Sequence, residues 1–409
     1  MKLKLINSII LFSTVFFISC NTTKPAEVIS IIKAPAGFNS SESSLHKSQD
    51  GTIYLSWLES PQDNTKLLFS TLKDDYSWSD PKLITQGSDW FVNWADFPSI
   101  SSFGNNLIAH YLKKSAPDTF AYDVQLVTSN DGGETWNSSV RPHFDNTNTE
   151  HGFVSKIGLN NDSAIAVWLD GRQMAEAEKD STIVHQMTLR GAKLDTKGIV
   201  KESYIIDDRV CDCCQTDMAM TQEGPIVVYR DRSENEARDI YYSRQINNNW
   251  TSPIPLFEDN WVIEGCPVNG PAISTKESNV AVAWFTIANG FPSVKVVFSS
   301  SNGEFFGNPI NVDDESPLGR VDIELLEDNS ALVSWMDRID GKTLIQLQRI
   351  ESDGSKSQIT TVTESSESRS SGFPRMVIKD NFAVISWTNV ASDNSLNIET
   401  ALVDLSLIE

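Results

Sequence analysis

The sequence predicts an all-β chain folded as one β-propeller of four-stranded blades, seven in number. Three observations lead there. A short apolar segment ending in an aromatic recurs seven times, closing on Trp57, Tyr111, Trp168, Tyr229, Trp284, Trp335 and Trp387. The copies lie about 55 residues apart, a period typical of repeat architectures. Around each copy stand further short β-rich runs with turn residues between them and no convincing helix, which gives four strands per unit. Finally, the seventh unit offers only three strands, the last near Leu396 to Val403, whereas Glu27 to Ile32 precedes the first unit and reads as a spare strand. Pairing the spare strand with the last unit closes the ring and leaves no open sheet edge. Six blades with one irregular unit is the alternative.

Taken in order, the chain opens Met1-Lys2-Leu3-Lys4, runs apolar from Leu5 to Ile18 and reaches Ser19-Cys20. A basic start, a short apolar core and a small residue before the end of the run describe an export signal. The run is short for a membrane span. Phe17-Ile18-Ser19-Cys20 resembles a bacterial lipobox, which implies cleavage before Cys20 and a lipid on its sulfur. The expected organisation is a signal peptide over 1–19, a tether over 20–26 and the propeller over 27–409. The chain is then exported and lipid-anchored in a bacterial cell envelope, facing the periplasm or the surface. The formal charge of −22 repels phosphate backbones, so nucleic acid is excluded as a partner and the membrane is met only through the anchor.

Within the units, inner strands are expected at Phe97 to Ser101 and Arg320 to Ile323. Third strands are expected at Lys66 to Ser70 and Asp239 to Ser243, and fourth strands after proline at Pro81 to Ile84 and Pro309 to Val312. Between third and fourth strands of the second unit runs Ser129-Asn130-Asp131-Gly132-Gly133-Glu134-Thr135-Trp136. Its side chains suit a tight hairpin: Asp131 accepts backbone N–H groups, Gly133 permits positive φ, and Trp136 packs over the turn. Degenerate copies follow at Ser299 to Phe306, Ser243 to Trp250 and Ser70 to Trp78.

This segment, through Ser129, Asp131, Gly133, Thr135 and Trp136, matches the Asp-box. The chain resembles the sialidase-type Asp-box propeller superfamily over nearly its whole mature length. Arg209 to Thr216, Tyr229 to Ser233, Gly265 to Ala272 and Pro317 to Asp322 further resemble bacterial proteins labelled sialidase-like. The resemblance implies a propeller, an anionic carbohydrate ligand and exo-sialidase-like hydrolysis. The chain departs from the sialidase pattern in two places. The first unit opens Gly37-Phe38-Asn39-Ser40-Ser41-Glu42-Ser43-Ser44 without arginine, and no Tyr–Glu nucleophile pair is placed, so the catalytic residues stay unassigned.

In a propeller, the loops leading into innermost strands and those joining second to third strands share one face. That topology gathers Asp96, His151, the Cys211–Cys214 run, Cys266, Arg320 and Arg375 near the mouth of the channel. It adds Asp170 and Arg172, then Arg230, Asp231 and Arg232, and Asp337 with Arg338, from the second class of loop. Guanidinium forks suit carboxylate, sulfate or phosphate groups. The alternative is that the Asp–Arg pairs tie blades together.

Cys211, Cys213, Cys214 and Cys266 sit one repeat apart and meet at that face. In an oxidising compartment they serve as disulfide staples, Cys211 or Cys213 to Cys266 being the easier pairings. Alternatively, with His151 as a nitrogen ligand, they hold Cu or Zn, or they form a reactive dithiol beside Arg209. No cofactor is certain. Three functions therefore stand: an envelope propeller binding an anionic glycan with exo-glycosidase activity, a metal- or thiol-dependent envelope protein, and a non-catalytic assembly scaffold with a protein partner.

Overall fold

The computed structural model describes residues 27–61 and 64–408; the expected export signal, Cys20 and the expected tether lie outside the described residues. Seven antiparallel sheets follow one another around a ring, as the repeat predicts. The first blade is Ser40–Lys47, Ile53–Glu59, Thr65–Thr71 and Lys82–Gly87. The second is Ile100–Phe103, Asn106–Lys114 and Tyr122–Ser129, its outer edge reduced to a bridge between Leu126 and Val140. The third is His151–Asn160, Ser163–Asp170, Met187–Asp195 and Val200–Val210. The fourth is Asp217–Thr221, Gly224–Arg230 and Ile240–Ile246, with its outer strand broken into Asn249–Trp250 and Ile254–Pro255. The fifth is Ala272–Lys276, Asn279–Thr286, Ser293–Ser299 and Ile310–Asp313, and the sixth is Pro317–Leu325, Ala331–Ile339, Lys342–Ile350 and Thr360–Ser365.

The seventh blade, Arg375–Lys379, Phe382–Val390 and Leu396–Asp404, takes its fourth strand from Ile29–Ile32, in register Ile29 to Val403 and Ile32 to Thr400. Ile29–Ile32 and Leu396–Asp404 are thus sewn into one sheet. Inner strands of consecutive blades touch all the way round, including the seventh against the first. Helix is confined, among the described residues, to Arg172–Ala177 and three 3-10 turns. The helix departs from the expectation of none. Gln173 to Ala177 are good helix formers, and the Asp170 carboxylate accepts the Arg172 N–H at 3.1 Å, so the loop curls there.

The recurring aromatics are the wedges between blades: Trp57, Trp168, Trp284, Trp335 and Trp387 are all buried. A buried indole N–H needs an acceptor. Glu59 takes that of Trp57 at 3.1 Å, Asp170 that of Trp168 at 2.7 Å, Asp259 that of Trp284 at 2.7 Å and Asp313 that of Trp335 at 2.8 Å. On the opposite face, the turn after Ser129 closes as its side chains suggest. The Ser129 hydroxyl accepts the Gly133 N–H at 2.9 Å, and Asp131 accepts the Thr135 N–H at 2.9 Å and its hydroxyl at 2.6 Å. Trp136 packs edge-on against Phe69 of the first blade. Gly133 is at φ +87°, and a Cβ there would lie 2.4 Å from the Phe69 ring.

The channel holds two cavities, about 150 Å³ toward the mouth and about 600 Å³ toward the far face, with Arg375, His46, Asp217 and Met218 bordering both. Across the mouth, Gln215 donates to the Ala95 carbonyl at 2.6 Å and accepts the Gly270 N–H at 3.0 Å. It therefore joins the loops leading into the second and fifth blades, which are not neighbours in the ring.

Candidate functional site

Three innermost strands carry the same irregularity where they leave the mouth. The pairing register slips after Ser41, Gly152 and Gly319, and the residues at the slips, Glu42, Phe153 and Arg320, have φ of 52°, 54° and 53°. Val268 at 50° and Gly372 at 61° lie in the loops leading into the fifth and seventh blades. Left-handed backbone at residues of this bulk costs on the order of 1–3 kcal/mol each, and such strain collects at functional sites. Five blades thus bend their backbones around one mouth.

Beneath Phe153 lies the closest polar constellation of that mouth. The Tyr122 hydroxyl is 2.9 Å from Asp96 Oδ2 and 2.7 Å from Glu150 Oε1. The phenol stacks on Phe91 with ring centres 4.0 Å apart and is fully buried. Asp96 also accepts the strained Phe153 N–H at 2.6 Å. Gly152 makes room: a Cβ there would fall 2.0 Å from Asp96 Oδ2. A phenol has one proton, so it can donate to one carboxylate only. The second short bond exists when the other carboxyl carries a proton and donates to the phenol oxygen. Asp96 has the Phe153 N–H to favour its ionised form, which leaves the proton on Glu150. Burial pushes Asp96 up to about 7, and burial, with the charges of Asp96, Asp212 and Cys266, pushes Glu150 up to about 8. The sequence placed Asp96 at the mouth but paired no tyrosine with a glutamate. The structure brings Tyr122 and Glu150 within hydrogen-bond distance. The signal available was topological: Tyr122 begins a third strand and Glu150 precedes an inner one, so both belong to the mouth face.

The arginines expected to read an anion are engaged with protein. Arg172 grips Asp170 through two bonds of 2.7 and 2.6 Å. Arg230, buried over the Trp261 ring, donates to the carbonyls of Asn269, Phe285 and Arg238. Arg232 pairs with Glu236 at 2.8 Å. Arg320 donates to the Ser371 hydroxyl at 2.6 Å and the Gly372 carbonyl at 2.9 Å, with its guanidinium over Trp94. Arg375 faces the channel beside Asp322 at 3.4 Å, with Asp217 and Glu324 also acting on it. Asp231, on the flank with Asp207, is pushed up to about 7 by burial and by the Asp207 charge. Arg230, Arg320 and Arg375 thus tie blades together, whereas Arg172 and Arg232 pair within their own blade.

His151 does not join the cysteines in a common set of ligating atoms. Its ring lies on that of His143, with centres 3.9 Å apart and planes 5° apart, among Asp123, Asp145 and Asp170. Nitrogen lone pairs lie in the ring planes, and two parallel stacked planes do not converge on one ion. The two imidazoles therefore do not ligate one ion together; they form a buried network with the three carboxylates. His143 is buried and part of this network.

The cysteines do converge. All four thiols are free, Cys211 and Cys214 buried, Cys213 half-buried and Cys266 exposed. Cys211 Sγ lies 3.7 Å from Cys213 Sγ and 3.6 Å from Cys214 Sγ. Arg238, which sequence reasoning missed, reaches Cys211 Sγ at 3.1 Å. Hydrogen bonds from Cys213 and Cys214, and then the Arg238 charge, hold the Cys211 thiol well below the ordinary range.

No protein-family model matches the chain, and no curated protein matches it. Solved structures do. A protein of unknown function from Dyadobacter fermentans is similar at 13% identity and a TM-score of 0.53, over 93% of this chain and 98% of that one. An α-L-arabinofuranosidase of Fusarium graminearum, solved with an iminosugar inhibitor, is similar at 11% identity and a TM-score of 0.50, over 93% and 98%. A sialidase of Streptococcus pneumoniae is similar at 7% identity and a TM-score of 0.47, over 93% and 95%. The first two likenesses establish the propeller fold.

Proposed function

We propose that this chain is a carbohydrate-binding propeller of the sialidase-like type, with Glu150 as the proton donor of an exo-glycosidase site. The observation that carries the reading is the Tyr122 hydroxyl held between Asp96 and Glu150. Leaving-group protonation in glycoside hydrolysis needs a carboxylic acid that is still protonated at neutral pH. Glu150, raised to about 8, meets that need. Glu150 keeps part of its surface exposed, whereas Tyr122 is fully buried on Phe91, so in this reading Glu150 is the group that meets the ligand and Tyr122 positions it. Asp96 holds the tyrosine and keeps the negative charge of the trio. The neighbouring fold of an arabinofuranosidase that takes an iminosugar is consistent with a sugar ligand. Because the arginines are engaged, the reading rests on a hydroxyl-rich ligand and not on its charge. Lipid anchoring through Cys20 in the cell envelope belongs to the same proposal.

The test is a panel of chromogenic α-L-arabinofuranosides, sialosides and other exo-glycosides, with Glu150→Gln beside the unsubstituted chain. Turnover that falls about 10²–10⁴-fold in Glu150→Gln, with the fold intact, is expected. No turnover on the panel together with no binding on a glycan array overturns the proposal and returns the scaffold reading.

A further inference from the structure

We propose that Cys211, Cys213 and Cys214 form the thiolate face of a site for one soft closed-shell metal ion, Zn(II) or Cu(I), with Cys266 supplied by the next blade as the outer ligand. The inference is independent of the glycosidase reading and rests on the positions of sulfur atoms.

The three inner sulfurs lie within 4.8 Å of one another, and two of the spacings are 3.7 and 3.6 Å. A tetrahedral ion with metal–sulfur bonds of about 2.3 Å has ligand-to-ligand edges of about 3.8 Å, which these spacings match. The backbone sets this up. The Cys211 N–H is bonded to the Arg230 carbonyl at 3.0 Å, which anchors the start of a tight turn that brings the next two cysteines back to the same point. A disulfide would consume two of these sulfurs and leave the third unpaired. An ion uses all three.

Sulfur ligands select soft ions over oxygen-seeking ones. Arg238 offsets part of the charge that three thiolates bring. Arg238 Nη1 lies 3.1 Å from Cys211 Sγ and 3.5 Å from Asp212 Oδ1, and its other nitrogen is fixed by Glu236 at 2.9 Å. Such outer partners orient ligands and tune the ion. Cys266 forms a second set of neighbouring atoms with Cys213 and Asp212, its sulfur 4.0 Å from Asp212 Oδ1. Cys266 also lines a cavity of about 470 Å³ with Trp261, Phe285 and Leu318, which gives an ion a way in from solvent. The ring therefore has its thiolates on one blade junction and its outer ligand on the next.

The experiment is an anaerobic titration of the reduced, metal-stripped protein with Zn(II) alone and with Cu(I) alone, each against a chromophoric chelator, followed by native mass spectrometry. One ion per chain is expected, and the tighter of the two names it. Cobalt(II) should give a thiolate-to-metal charge-transfer band. Cys213→Ser should weaken binding by at least about 100-fold, and Cys266→Ser should weaken it less. No retained ion, with all four thiols open to alkylation in the native state, overturns the proposal. So does a disulfide among Cys211, Cys213 and Cys214 whose reduction yields no metal binding. If Cys213→Ser does not fold, the cobalt spectrum of the unsubstituted chain decides: absence of the band also overturns it.

Discussion

The imidazole of His143 lies flat on that of His151, and the two rings share carboxylates rather than dividing them. Asp145 Oδ2 is 3.0 Å from His143 and 3.4 Å from His151. Burial, joined by the charge of its neighbour, pushes His143 down. Burial also opposes protonation of His151, but the bond to Asp145 and the charge of Asp170 outweigh it and leave His151 raised. The pair should carry one positive charge, on His151. Imidazole NMR should show His151 titrating above the ordinary histidine range and His143 below it; two rings titrating together would refute the arrangement. The stability His151 contributes is complete below its unfolded pKa and is lost as pH rises through its folded one. Replacing it with glutamine should cost about 3–5 kcal/mol in denaturant unfolding, because Asp145 and Asp170 are left buried with less compensation.

Glycosidase turnover should occupy a narrow pH window. Glu150 must be protonated to act as an acid, so activity falls above about 8. Asp96 must be ionised to accept from Tyr122, so activity falls below about 7. The titrations belong to the trio as a unit, with Asp212 and Cys266 acting on Glu150 from the facing loops. Tyr122→Phe breaks both bonds and should collapse the bell to a broad profile. An unchanged profile in that variant would remove Tyr122 from the mechanism.

The chain should be most stable in mildly acidic solution. Burial raises Glu42 and Asp96 to about 7, Asp217 to about 6, and Glu150 and Glu324 to about 8, with neighbouring charges assisting at Glu150 and Glu324. A carboxyl raised in the folded state contributes stability that is complete below its unfolded pKa and lost as pH rises through the folded one. His46 and His110, held neutral by burial and by the Lys156 charge, act in the opposite sense below about 6.5, but the raised carboxyls outnumber them. Melting temperature should peak near pH 5 and decline toward pH 8.5. A steady rise over that interval would contradict the burial of these groups.

Gly133→Ala should destabilise by about 2 kcal/mol, since it adds a Cβ against Phe69 at a left-handed position. Gly132→Ala is the control: its φ is also positive, at 70°, but a Cβ there meets nothing within 4 Å. A difference in melting temperature between the two variants isolates the clash from the backbone strain, and equal values would refute the packing argument.

The fold was legible because its signal repeats. Each of the recurring tryptophans, Trp57, Trp168, Trp284, Trp335 and Trp387, marks the second strand of its blade, and the spare strand at Ile29 has one place to go. The cysteines were legible as a group because three of them fall within four residues. Tyr122 and Glu150 were not legible. They stand far apart in sequence, neither lies in a local pattern, and the ring alone brings them together. The arginines show a different limit. Their positions at the mouth face followed from topology, but a sequence does not say whether a guanidinium is free. That depends on carbonyls such as those of Asn269 and Phe285, which carry no residue signature. The left-handed bends at Glu42, Phe153 and Arg320 were hidden for a related reason. Such positions usually announce themselves by glycine or asparagine, and here packing forces other residues into them.

Gln215 ties Ala95 to Gly270 across the mouth. A line drawn between two points of a circle sets the circle's radius once the arc is known, and one carboxamide is a very short ruler. An added or lost repeat between those two blades would change the span by more than a side chain can absorb. The tie therefore works as a gauge of blade number. It also fixes the rim, so that whatever is recognised at this face meets an aperture of constant width.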